Sequence, residues 1–156
     1  MQGVRSYTDA DADGCCRVVN AAIQDMDGLN NAARAFIRAK NTPAQFDAEL
    51  RHWFTLIFEA DDGRILGVGA LDGEEIKRVY VDLLAQGHGV GRALMQALEV
   101  EALQRGLRKV AIEASPSAVP FYEQLGYVRL KEDGFTRGEA VFRYVRMWKA
   151  LRSPER

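Results

Sequence analysis

Seven consecutive residues, 86–92 (QGHGVGR), have the composition and spacing best suited to chemistry in this chain. Glycine stands at every second position, between the end of a predicted strand and the start of a predicted helix. Glycine allows a tight turn whose N–H groups point outward, and a helix N-terminus adds a partial positive charge of about half an electron unit. The segment therefore predicts a cradle for an anion, best suited to phosphate groups.

Two familiar phosphate-binding loops do not fit this spacing. The dinucleotide fingerprint of a Rossmann fold is G-x-G-x-x-G, whereas the glycines here are Gly87, Gly89 and Gly91, and no acidic residue ends a second parallel strand at the required distance. The ATP/GTP-binding loop requires a lysine followed by serine or threonine, and residues 86–92 contain none of these. The anion site therefore belongs to a third kind of loop.

The spacing Gln86-x-x-Gly89-x-Gly91 resembles the pyrophosphate loop of the GCN5-related N-acetyltransferases, the GNAT family. A second segment, 118–127 (AVPFYEQLGY), is similar to the other signature of that family, and the strand at 76–81 is similar to its cofactor-binding strand. The resemblance covers about residues 54–147 of the chain. It implies the GNAT fold in a single domain over residues 1–156, with acetyl-CoA as the cofactor.

The resemblance also implies roles for individual positions. The backbone of a bulged strand would hold the pantetheine arm, the loop amides would hold the pyrophosphate, and Tyr122 would protonate the departing thiolate. The family often has asparagine where this chain has Ser115, a shorter donor that would lose one pantetheine contact or make it through water. The implied cofactor-binding residues are Val79, Tyr80, Val81, Gln86, Gly87, His88, Gly89, Val90, Gly91, Arg92, Ser115, Phe121 and Tyr122.

Acetyl transfer to an amine requires a base, because an amine with a pKa of about 10 is mostly protonated at neutral pH. Glu75 is the base candidate: it stands where family members with a strand carboxylate have theirs, and strand alternation predicts that it shares a face with Val79 and Val81. Glu74, Asp82 and a water molecule remain alternatives. The developing oxyanion would require a fixed N–H donor.

Hydrophobic periodicity and turn signals predict the elements that position these residues. The predicted strands are 4–8, 54–60, 65–71, 75–81, 109–114, 127–130 and 141–147, and the predicted helices are 16–23, 32–40, 43–52, 90–102 and 116–125. The last two strands would be joined by a loop around Asp133 and Gly134. The order predicts an α/β (α+β) fold: a mixed, mostly antiparallel sheet of six or seven strands, with helices on both faces and one central right-handed β-α-β unit.

Composition and charge exclude several classes of partner. The 156 residues include 21 basic and 22 acidic side chains, a net charge of −1, so no overall field favours nucleic acid or an anionic membrane. No apolar run approaches the roughly 20 residues of a membrane span, and the first residues lack a signal peptide. Cys15 and Cys16 are adjacent and predict small apolar helix residues rather than a disulfide. We therefore expect a cytoplasmic location, and no metal because no side chains have metal-ligand spacing.

The expected activity is direct acetylation of a primary amine on a small molecule or a peptide, without an acyl-enzyme. In the family, segments equivalent to 25–53 and 131–139 form the acceptor pocket. Acidic residues of the first segment that could attract an amine are Asp25, Asp27, Asp47 and Glu49. Two alternatives remain open: a module that binds acetyl-CoA or CoA without turnover, and an N-acyltransferase for longer acyl chains. Members of the family often form dimers through the C-terminal strand, so the resemblance also suggests a homodimer here.

Overall fold

The structure is a computed structural model that describes residues 3–152, so the predicted domain limits at residues 1 and 156 lie outside the described part. Seven strands form one sheet in the order β1-β2-β3-β4-β5-β7-β6. The strands are β1 Val4–Ser6, β2 Phe54–Glu59, β3 Ile65–Asp72, β4 Glu75–Val81, β5 Lys109–Ala114, β6 Val128–Arg137 and β7 Ala140–Ala150. The helices are α1 Ala12–Gln24, α2 Asn31–Lys40, α3 Pro43–Leu50, α4 Val90–Gln104 and α5 Val119–Gln124.

The sheet is antiparallel except where β4 meets β5. These two strands are parallel, and α4 connects them as the crossover helix of a β-α-β unit. All other neighbouring strands pair antiparallel. The predicted mixed, mostly antiparallel sheet with one β-α-β unit is therefore confirmed.

Helices pack on both faces of the sheet, each over its own apolar cluster. Leu94 and Leu98 of α4 are fully buried against one face, and Val19 of α1 and Leu50 of α3 are fully buried against the other. Gly67 of β3 allows α4 to approach closely, because a Cβ atom there would lie 2.8 Å from Val90 Cγ1. This packing sets the N-terminus of α4 beside the end of β4. Within residues 3–152 no helix has both the length and the apolar character that crossing a membrane demands.

Both cysteines are buried in α1, as the apolar interpretation predicted. Burial raises the pKa of the Cys15 thiol to about 12. Burial also raises the pKa of the Cys16 thiol, which donates a hydrogen bond to the Asn41 carbonyl oxygen. Both thiols therefore stay protonated at neutral pH, when a thiol is a poor nucleophile.

A β-bulge interrupts β4 and changes which side chains share a face. The register with β3 moves from Val68↔Tyr80 to Ala70↔Lys77, which leaves one extra residue in β4. Ile76 consequently packs in the same apolar cluster as Val79 and Val81. The prediction that Glu75 shares a face with Val79 and Val81 is therefore wrong, because the extra residue reverses the alternation between them.

The C-terminal hairpin is longer than predicted. Strands β6 and β7 continue to Arg137 and from Ala140, and their turn is at residues 138–139. The predicted loop around Asp133 and Gly134 is wrong, since Gly134 lies inside β6 and pairs with Arg143. A Cβ atom on Gly134 would overlap the Phe142 carbonyl oxygen, so this glycine permits close backbone approach instead of forming a turn.

Candidate active site

A cleft opens in the middle of the sheet where β4 and β5 separate. The two strands pair only at Glu75↔Ala111 and Ile76↔Ile112. Beyond these pairs, β4 continues beside β3 and β5 continues beside β7. The resulting cleft has a volume of about 410 Å³. Of the residues predicted from sequence for catalysis or cofactor binding, those that line it are Glu75, Val79, Tyr80, Ser115 and Tyr122.

The glycine loop forms the predicted cradle at the start of α4. Gly87 and Gly89 have φ angles of 82° and 87°, in the left-handed region that favours glycine. The backbone amides of Val90, Gly91 and Arg92 form the first turn of α4, and none of them has an acceptor within residues 3–152. The exposed Arg92 guanidinium also has no acidic partner in that range. Free amides, a helix N-terminus and a free guanidinium together fit a phosphate group.

Gln86 and His88 make contacts within the loop itself. The Gln86 side-chain amide donates to the Val81 carbonyl oxygen over 3.5 Å. His88 is exposed, and its Nδ1 lies 3.0 Å from the Gln86 carbonyl oxygen and 3.3 Å from that of Ala85. These contacts shape the turn that presents the free amides.

Two neighbouring aromatic residues of α5 connect the cradle with the cleft. The Phe121 ring packs over Gly91, where a Cβ atom would lie 3.0 Å from Phe121 Cζ. Tyr122 lines the cleft and is only 7% exposed. The Tyr122 hydroxyl has no hydrogen-bond partner among the described residues, whereas the hydroxyl of nearby Tyr127 donates to Glu99 over 2.7 Å. Burial raises the pKa of Tyr122 above its ordinary value of 10, so the hydroxyl is a proton donor at neutral pH.

Glu75 is held loosely at the rim of the cleft. Its carboxylate oxygens lie 3.7 Å from Lys77 Nζ and 3.9 Å from an Arg146 nitrogen. Both cations have closer partners, because Lys77 lies 2.9 Å from Asp72 and Arg146 lies 2.5 Å from Glu113. Glu75 is therefore the least engaged carboxylate of this group.

The two alternative base candidates lie elsewhere. Asp82 is buried outside the cleft lining and accepts hydrogen bonds from the Leu84 amide and from Arg17. Burial would raise the pKa of the Asp82 carboxyl, but these two donors outweigh it and lower the pKa. Glu74 is exposed and does not line the cleft.

Three residues from the N-terminal helical region complete the cleft, namely Met26, Glu49 and Trp53. Glu49 of α3 forms a 2.6 Å ion pair with Arg78 of the β4 bulge. All three belong to the segment 25–53 that the resemblance assigned to the acceptor pocket, and Glu49 was one of the four acidic candidates, whereas sequence analysis did not find Arg78. No local signal marks Arg78, because its ion pair joins α3 to a strand that lies much later in the chain.

The other acidic candidates and the segment 131–139 lie outside the cleft. Asp47 accepts a hydrogen bond from Tyr7 over 2.9 Å, and Asp27 accepts one from the Ser117 hydroxyl over 2.9 Å. Most of the segment 131–139 belongs to β6, and its residues border a separate cavity of about 580 Å³ with Pro116 and Val119. Its predicted contribution to the acceptor pocket is therefore not seen in the cleft.

The family model and the curated relative that match this chain are both described as acetyltransferases. The family model described as the acetyltransferase (GNAT) domain matches residues 22–151. In Bacillus subtilis strain 168, the uncharacterized N-acetyltransferase YjcF is 32% identical over 105 residues, which cover 64% of this chain and 75% of that protein.

Solved structures share the whole architecture. A GCN5-related N-acetyltransferase from Rhodopseudomonas palustris, described as a class-II aminotransferase, superposes with a TM-score of 0.87 at 28% identity, covering 97% of this chain and 96% of its own. YncA from Salmonella typhimurium, a putative acetyltransferase solved with its cofactor acetyl-CoA, superposes with a TM-score of 0.72 at 19% identity, covering 100% of this chain and 97% of its own.

Proposed function

Because the chain belongs to the GNAT acetyltransferase family, as its two motifs predicted, we propose that it transfers the acetyl group of acetyl-CoA directly to a primary amine. The observation that carries this proposal is the continuity between the phosphate cradle and the cleft. Phe121 contacts Gly91 at the cradle, and the adjacent Tyr122 lines the cleft between β4 and β5. A long cofactor with phosphates at one end and a reactive group at the other fits such a path.

The cradle and the β4 edge would bind the cofactor. The amides of residues 86–92 and the Arg92 guanidinium would hold the pyrophosphate. The β4 backbone at Val79, Tyr80 and Val81 would hold the pantetheine arm, since β5 does not pair with this part of β4. The Ser115 side chain makes no capping hydrogen bond to the turn that follows it, so its hydroxyl is available to bind the pantetheine arm. The bound cofactor supplies a thioester whose acetyl carbon is open to a neutral amine.

Glu75 and Tyr122 would move the two protons of the reaction. Glu75 accepts the proton that the amine gives up, directly or through water, as nitrogen bonds to the acetyl carbon. Tyr122 donates its hydroxyl proton to the sulfur as the carbon–sulfur bond breaks, and solvent later restores that proton. The thiols of Cys15 and Cys16 are buried away from the cleft, which supports direct transfer without an acyl-enzyme.

Thermal unfolding with acetyl-CoA tests the cofactor assignment. A ligand at about a hundred times its Kd adds about 2.7 kcal/mol, which raises the Tm of a chain of this size by about 5–10 °C. We expect Arg92→Glu to reduce that rise strongly, because it places a like charge beside the phosphates. Arg108→Glu is the matched control, since Arg108 is also exposed and lies beyond the other end of α4.

Thiol release with a panel of amines then separates catalysis from binding. No Tm rise with acetyl-CoA, propionyl-CoA or CoA would overturn the cofactor assignment. A rise without thiol release for any amine would instead favour a binding module without turnover. Faster release from propionyl-CoA than from acetyl-CoA would favour a longer acyl donor.

A further inference from the structure

A second, smaller pocket adjoins the cleft on the side of the N-terminal helices. It has a volume of about 190 Å³, and its lining includes Lys40, Gln45, Glu49 and Arg78. Glu49 and Arg78 line both spaces, so their 2.6 Å ion pair stands at the boundary between the cleft and this side pocket. An acceptor that occupied both spaces would therefore lie beside Arg78.

Hydrogen-bond donors outnumber acceptors in the side pocket. Arg78 donates from one guanidinium nitrogen to Glu49 and also donates to the Tyr80 hydroxyl, and the other N–H groups of its five-donor fork remain for a further acceptor. The Lys40 ammonium lies 4.7 Å over the Phe36 ring and has no carboxylate partner in the same range. The Gln45 side-chain oxygen accepts from the Thr42 hydroxyl, which leaves its NH₂ group free. Arg137 also lies over the Phe36 ring, at 5.1 Å, and adds to the positive charge.

The cleft beside Glu75 has the opposite balance. Three carboxylates and two cations line it, and Glu75 has the longest ion-pair distances of the carboxylates; the charged lining residues are Glu49, Glu75, Glu113, Lys77 and Arg78. An ammonium group arriving in the cleft would therefore meet an incompletely neutralised carboxylate, whereas a group in the side pocket would meet Lys40, which has no carboxylate partner within residues 3–152, and the Arg78 guanidinium. The two adjoining spaces are thus complementary to a molecule with a positive and a negative end.

From this juxtaposition we infer that the acceptor is an amine that also carries a carboxylate, with its amine at Glu75 and its carboxylate between Arg78 and Lys40. The inference rests on the proposed acetyl transfer and names the class of acceptor. A guanidinium with free N–H groups suits a planar carboxylate, because it can donate two parallel hydrogen bonds.

Thiol release from acetyl-CoA with matched acceptors tests the inference. The acceptors are α-amino acids and short ω-amino acids from β-alanine upward, each beside its own carboxamide and a diamine of similar length. We expect kcat/KM at least about tenfold higher for the best carboxylate than for its carboxamide, since a hydrogen bond to a charged group is worth that much. Equal rates for the two, or faster acetylation of diamines, would overturn the inference.

Substitutions at Lys40 test whether the carboxylate of the acceptor binds in the side pocket. We expect Lys40→Glu to raise KM for the carboxylate acceptor at least about tenfold, to leave KM for the carboxamide unchanged, and to leave kcat nearly constant. Arg38→Glu is the matched control, because Arg38 lies on the same helix, is exposed and lines neither space. An equal effect of Lys40→Glu on both acceptors would overturn the assignment. Failure of every carboxylate to react would overturn it too, while the Tm rise with acetyl-CoA reports separately on the proposed function.

Discussion

Tyr122 combines a buried ring with a hydroxyl that no other described residue engages, which suits a role in chemistry. Its ring packs against Phe121 and Tyr127, with centroids at 5.0 and 5.8 Å, and its hydroxyl has no hydrogen-bond partner within residues 3–152. No buried side-chain nitrogen or oxygen of the described residues lacks a hydrogen-bond partner, so the Tyr122 hydroxyl reaches the open space of the cleft although its ring is buried. We interpret the hydroxyl as kept for a proton transfer in the cleft.

Tyr122→Phe tests that interpretation. We expect kcat to fall at least about a hundredfold, as for removal of a general acid. The Kd for acetyl-CoA should change by less than about threefold, because the ring and its packing remain. Thiol-release kinetics and the Tm rise with acetyl-CoA measure the two quantities. An unchanged kcat would contradict the assignment of Tyr122 as the acid. Phe121→Leu is the contrast, since we expect it to weaken cofactor binding through its contact with Gly91.

At the scale of elements, the bulge in β4 determines the shape of the site. Arg78 is the only non-glycine residue within 3–152 with a positive φ, at 60°. Its guanidinium pairs with Glu49 and lies 5.2 Å over the Phe46 ring, so two contacts with α3 hold a strained backbone in place. The bulge thereby keeps the extra residue directed toward α3, while Val79 and Val81 return to the α4 face.

Paired substitutions at Arg78 separate backbone strain from side-chain contacts. Both Arg78→Ala and Arg78→Gly remove the ion pair and the ring contact, but only glycine adopts a positive φ without steric cost. We therefore expect Arg78→Gly to be more stable than Arg78→Ala by about 1 kcal/mol. Urea unfolding of the two variants measures this difference. Equal stability, or a more stable alanine variant, would show that the bulge relaxes when Arg78 is lost.

At the scale of the whole molecule, one buried carboxylate joins the edge of the sheet to α1. Asp11 is 6% exposed and forms two 2.9 Å hydrogen bonds with the Arg5 guanidinium of β1, and it accepts a third from the Thr8 amide over 2.8 Å. Burial would raise the pKa of the Asp11 carboxyl, but these donors outweigh it, and the pKa is lower than its ordinary value of 3.8.

Stability should consequently fall in acid. A lowered pKa in the folded state means that the unfolded chain binds the proton more tightly, so the Asp11 contribution is complete above about pH 5 and is lost as the pH falls below about 4. We expect Asp11→Asn to lower the Tm by about 2–10 °C at pH 7, since it weakens buried hydrogen bonds worth about 1–3 kcal/mol, and by less at pH 3. The exposed Asp25→Asn is the control. An Asp11→Asn deficit that is equal at both pH values would contradict the ionic origin.

Features of this protein that depend on neighbouring residues could be predicted from the sequence. Alternating glycines before an apolar helix specify a turn with left-handed φ angles and free amides, and this local chemistry predicted the cradle at residues 86–92 and the family. Apolar periodicity likewise predicted the order of strands and helices. In the C-terminal hairpin the same reasoning failed, because glycine indicates both a turn and a close backbone approach, and Gly134 serves the second purpose.

The boundaries of the cleft could not be predicted from the sequence, because they depend on contacts between distant segments. The separation of β4 from β5 and the extra residue at Arg78 arise from how the strands pair and how α3 packs on them, and no short segment encodes either. The pairs of Glu49 with Arg78 and of Glu75 with Arg146 join residues far apart in the chain. Such contacts form only when packing brings the elements together. The motifs therefore predicted the family and its cofactor, whereas the charged residues that meet around the cleft became visible only in the folded chain.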